Sequence, residues 1–72
     1  MVITKETTIR ELVSSFPAST SYFMKYNIKC VVSGSARWGT IETMVLNKSF
    51  SQEDLQKFID ELNVLYTNRQ PL

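Results

Sequence analysis

From Ser51 to Tyr66 the chain keeps one face apolar for three turns. Leu55, Phe58, Ile59, Leu62, Leu65 and Tyr66 recur at the spacing of an α-helix. Ser51-x-x-Asp54 supplies a capping box with a shorter acid, and Glu53 and Asp54 favour the positive end of the helix dipole. Phe50 before the cap and Leu55 after it form a hydrophobic staple. A stripe this long must be covered by other elements, and the rest of the chain is short.

Seventy-two residues make one domain. We assign it to residues 1–67 and residues 68–72 to a tail ended by Pro71. A domain of this size buries roughly 60% of its unfolded surface, so its stability margin is thin. One cysteine excludes an internal disulfide, and no histidine with one cysteine excludes a zinc site by residue count. Tight helix packing, self-association, or both must hold the fold, with no cofactor expected.

The upstream half also reads as helix. Val2 and Ile3 form a short extended arm that lays Ile3 on the core. Thr8-x-x-Glu11 is a capping box. Ile9, Leu12, Val13 and Phe16 follow as one apolar stripe, and Pro17 ends that helix. Pro17 also suits the first turn of a second helix, with Ala18, Tyr22, Phe23 and Tyr26 on its buried side. Asn27 is placed to take the left-handed, helix-ending conformation, and Ile28 packs back after the turn. Lys25 and Lys29 complement the dipole there.

Between Cys30 and Gly39 no periodicity survives. Ser33-Gly34-Ser35 is turn chemistry, and Gly39-Thr40 offers a helix start with Thr40 as cap. Ile41, Met44 and Val45 give a short third helix, with Asn47 as its left-handed terminator. The expected fold is therefore all-α, a single compact domain with a cysteine-containing loop after the second helix.

Composition narrows the function classes. Eight basic and seven acidic residues give a net charge of +1 without a basic run, which argues against nucleic acid as partner. Apolar runs are too short to span a membrane, and the N-terminus lacks a signal-peptide core. A free cysteine in such a chain fits a reducing cytoplasm.

The chemistry-bearing candidates lie in the loop. Cys30 follows a helix end, where a lone thiol is more often a small buried hydrophobe than a reactive group. Without histidine there is no general base for a catalytic triad, so an independent enzyme ranks last. Ser33, Gly34, Ser35 and Ala36 before Arg37 could turn amides and a guanidinium toward an anion, although a plain turn is the commoner outcome. Trp38 beside Arg37 has the composition of an interface hot spot, or else closes the core over the third helix. Tyr22, Tyr26 and Tyr66 read as core-edge packing, and Asp60-Glu61 as a solvated face.

The order of these residues resembles a known family. Ile3-Thr4-Lys5, Thr8-Ile9-x-Glu11-Leu12, Phe16-Pro17-Ala18 and Phe23-x-x-Tyr26-Asn27-Ile28-x-Cys30 are similar to the hybrid-cluster-protein-associated redox disulfide domain. The opening half is also similar to the N-terminal domain of ScdA-like iron–sulfur cluster repair proteins. Trp38-Gly39-Thr40-Ile41-Glu42 and Asp54-Leu55-x-x-Phe58-Ile59-x-Glu61-Leu62-Asn63 extend the likeness to roughly residue 65.

The resemblance implies four to five short helices and a Cys-x-x-Cys pair after the second. Its first position falls on Cys30 and its second on Ser33, so this chain has a single thiol and no intramolecular disulfide switch. Asn27 stands where the family usually has glycine.

Two functions follow as expectations. One is a non-enzymatic interaction or dimerisation module using Gly34, Arg37, Trp38 and the exposed edge of the last helix, with a protein partner or a second copy. The other is a monothiol redox or cluster-associated accessory domain acting through Cys30, with Ser33 and Arg37 tuning the thiol.

Overall fold

The structure, a computed structural model, describes residues 2–32 and 34–68. Six elements follow in order: α1 (Ile9–Ser15), α2 (Ser19–Met24), β1 (Val31–Val32), β2 (Ser35–Ala36), α3 (Ile41–Asn47) and α4 (Gln52–Asn68). The two strands form an antiparallel hairpin, with Val31 opposite Ala36 and Val32 opposite Ser35. The chain is thus mixed α/β, which corrects the all-α expectation. Each strand spans two residues, too short for period-two alternation to show, and only the β-branched Val31-Val32 pair signals it. Gly34 closes the turn at φ +82°, a conformation side chains resist.

The starts of α1, α3 and α4 fall where the sequence placed them. The Glu11 amide donates to Thr8 Oγ1 at 3.1 Å, and the Thr8 amide to the Glu11 carboxylate at 3.3 Å. Asp54 and Ser51 exchange the same pair at 3.1 and 3.2 Å. Thr40 caps α3 with Thr43 as its reciprocal partner. The starts of α1 and α3 also interlock through backbone. The Ile9 amide donates to the Gly39 carbonyl and the Ile41 amide to the Thr7 carbonyl, both at 3.0 Å. Four orphan amides are common to every helix start, and here neighbouring backbone satisfies part of that demand.

Asn27 ends the α2 segment at φ 62°, with the Ile28 amide reaching the Phe23 carbonyl and the Asn27 amide the Met24 carbonyl. That pair of bonds is a Schellman motif. Three local expectations differ. Ala18 is exposed and Tyr26 is 39% exposed, while Ser19 is fully buried with Tyr22 and Phe23. The helix begins at Ser19 rather than at Pro17, so its inward face turns accordingly. Ser49, not Asn47, takes the left-handed conformation after α3, at φ 68°. Leu65 is 43% exposed, while Tyr66 beside it packs edge-to-face on Phe16, so the covered face at this end of α4 runs through Leu62 and Tyr66 and leaves Leu65 at its margin.

One core holds these elements together. It includes Ile3, Ile9, Leu12, Phe23, Ile28, Cys30, Ile41, Val45, Leu55 and Leu62, each at most 2% exposed. Phe58 sits at the centre of an aromatic seam, edge-to-face with Tyr22, Phe23, Tyr26 and Phe50 at 4.8–6.1 Å. Tyr22 donates its hydroxyl to the Glu61 carboxylate, tying α2 to α4. Burial first, and Glu61 second, hold the Tyr22 phenol well above the ordinary tyrosine range.

At the other edge, Asn63 clasps the N-terminal arm. It accepts from the Ile3 amide at 2.9 Å and donates to the Ile3 carbonyl at 2.8 Å. The arm is thereby fixed and Ile3 fills the core, as its pattern predicts. Helix α4 runs through Asn68, the first residue assigned to the tail; residues 69–72 lie outside the described ones. No helix among the described residues is long and apolar enough to cross a membrane.

Candidate functional site

The sequence candidates separate in space. Cys30 is 2% exposed and belongs to the core. Burial pushes its thiol up to about 11, against a smaller opposing pull from the Arg37 charge. A thiol held protonated this strongly is a poor nucleophile at neutral pH, since the thiolate is the reactive form. Ser33, the other half of the proposed thiol site, lies outside the described residues.

Arg37 continues the hairpin. Its amide donates to the Cys30 carbonyl at 2.8 Å, adding a rung beyond β2, and its guanidinium reaches the Lys29 carbonyl at 3.5 Å. The backbone is pinned on both sides at this point. Gly39, at φ +99°, then swings the chain into the α3 cap, and a Cβ there would meet Thr43 Oγ1 at 2.6 Å.

Trp38 sits between those two anchors and is 96% exposed. It makes no ring contact among the described residues, and the core over α3 is complete without it. Of the two roles its sequence position allowed, closing the core is overturned. An indole fully in water on a pinned backbone is a costly arrangement for folding alone, because a ring of this size normally buries much of its area.

Two grooves flank Trp38. The first has a volume of about 440 Å³ and is lined by Thr8, Arg10, Ala36, Arg37 and Trp38 among others. The second, about 490 Å³, shares Arg37 and Trp38 and adds Val32, Met44 and Asn47. Gly34 lines neither; a Cβ on it would meet nothing within 4 Å, so its place is the tip of the turn.

Arg10 escaped the sequence reading. It is an exposed residue in the first turn of α1, and nothing local distinguishes it from a solvated helix position. The pairing of Thr8 with Thr40 across the two helix starts is what carries it to Arg37 and Trp38. No residue pattern along the chain encodes that meeting.

The chain matches no protein-family model, no curated protein and no solved structure.

Proposed function

We propose that this domain is a non-enzymatic protein-interaction module that works through the Arg37–Trp38 surface. The carrying observation is the nearly complete exposure of Trp38 on a backbone fixed by Gly39 and the hairpin. A backbone already fixed at Arg37 and Gly39 spares the ordering of the loop on binding, and tryptophan and arginine dominate interface energetics. The second half of α4 supports the same reading, since Val64 and Leu65 present apolar surface at 57% and 43% exposure. A second copy of the chain and a different protein are both partners of this kind.

The likeness to the redox disulfide domain family belongs to the proposal as a shared scaffold, and the free Cys30 thiol accords with a reducing cytoplasm. Burial of Cys30 and its raised pKa weigh against monothiol chemistry as the activity of this chain.

The test compares wild type, Trp38→Ala and Cys30→Ser in sedimentation for self-association and in affinity capture for a partner. The interaction reading expects Trp38→Ala to abolish association and Cys30→Ser to leave it intact. Association that survives Trp38→Ala but not Cys30→Ser would overturn it, as would rapid alkylation of Cys30 in the folded protein at neutral pH.

A further inference from the structure

Acidic residues concentrate on one helix of this small domain. Four of the seven acidic residues, Glu53, Asp54, Asp60 and Glu61, ride on α4. Neither groove beside Trp38 is lined by any aspartate or glutamate, whereas the first is lined by both Arg10 and Arg37. Among the described residues the ion pair present is Lys5 with Glu42, so neither arginine is held by a carboxylate; Arg10 is exposed, and the half-buried Arg37 reaches only the Lys29 carbonyl, at 3.5 Å. The nearest acid in sequence, Glu11, is engaged by the Thr8 cap.

We propose that the Arg10–Arg37–Trp38 surface docks a short acidic peptide segment of a partner protein, its carboxylates on the two guanidiniums and an aliphatic side chain over the Trp38 ring. This rests on the interaction reading above and names its partner class. Guanidinium groups match carboxylates with two parallel hydrogen bonds, and these two arginines give that match without first breaking an ion pair, Arg37 exchanging at most a long bond to the Lys29 carbonyl. The second groove, with Val32 and Met44 beside the same tryptophan, accepts the apolar side chain. A nucleic-acid strand fits less well: affinity there grows with the number of phosphates neutralised, and this surface offers two cations on a chain of net charge +1.

Trp38 is the chain's one tryptophan, so its fluorescence reports from the site itself. The probe is an acetylated peptide of alternating glutamate and leucine, compared with its glutamine–leucine counterpart and with a single-stranded oligonucleotide. The expected result is a saturable shift of Trp38 emission with the glutamate peptide, weakened by added salt. Arg10→Gln and Arg37→Gln each weaken it by about tenfold. Both side chains lie outside the core, and circular dichroism checks that the variants stay folded.

Equal binding of the glutamine peptide, or binding indifferent to both arginine variants, overturns the acidic class while the interaction role of Trp38 stands. An equal response to the oligonucleotide overturns it in favour of a general polyanion site. No shift with any probe overturns it as well, and the association of Trp38→Ala then decides the broader reading separately.

Discussion

The seam between α2 and α4 and the loop from Gly34 to Gly39 use aromatic residues in opposite ways. In the seam, Tyr22, Phe23 and Phe58 meet edge-to-face and are at most 7% exposed. In the loop, Trp38 has no ring partner among the described residues and stands 96% exposed. Both regions are anchored, the seam by side-chain packing and the loop backbone by hydrogen bonds at Arg37, Gly39 and Ile41. An anchored backbone that carries an unburied ring suits a binding surface, and folding by itself does not require it. The difference locates stability in the seam and leaves the loop as the surface proposed for recognition.

That division predicts a graded series of effects. Phe23→Ala leaves a cavity in the seam beside Tyr22 and Phe58 and costs about 3–5 kcal/mol, enough to unfold much of so small a domain. Urea denaturation followed by circular dichroism measures it, and a loss below about 1 kcal/mol would break the assignment of stability to the seam.

Asn63→Ala releases the Ile3 amide and carbonyl together and costs about 1–3 kcal/mol, with accelerated hydrogen exchange expected at Ile3. Ser19→Ala acts in the other direction. The Ser19 hydroxyl is buried without a hydrogen-bond partner among the described residues, so its removal raises stability by about 1 kcal/mol. A measured loss of that size would mean the hydroxyl is satisfied in solution.

Cys30 supplies a smaller, pH-dependent term. Its thiol is raised from 9.0 to about 11 on folding. Below 9.0 both states keep the proton and Cys30 adds no pH dependence. Between 9.0 and about 11 the unfolded chain loses the proton while the folded chain holds it, so stability falls as pH rises. Tyr22 shifts in the same sense, so the diagnostic is the difference in slope between wild type and Cys30→Ala. Identical slopes would place Cys30 in water and restore the thiol as a candidate.

Trp38→Ala is expected to change stability least, by no more than about 0.5 kcal/mol, while removing association. A large stability loss there would erase the contrast between seam and loop.

The local elements were legible because their signals are local. Thr8 with Glu11 and Ser51 with Asp54 announce helix starts within four residues of chain, and Asn27 announces a left-handed stop. The apolar stripe of α4 was readable from spacing alone through Leu62 and Tyr66, with Leu65 the exception. The hairpin was not, since two residues per strand carry no alternation, and its pairing is written in backbone bonds rather than side-chain pattern. Leu65 and Tyr26 obeyed the periodicity yet remained exposed, because periodicity names a face and not how far a neighbour covers it.

The candidate site divides in the same manner. Sequence alone marked Arg37 and Trp38 by composition and position, and marked Cys30 as either buried or reactive. Only tertiary structure decided between those fates, through the core that closes over Cys30 and leaves Trp38 outside. It also brought Arg10 to the site across the Thr8–Thr40 pairing. Helix caps and stripes are fixed by interactions within a turn or two of the chain. Which side chain is left in water, and which distant charge stands beside it, depends on contacts that no short stretch contains.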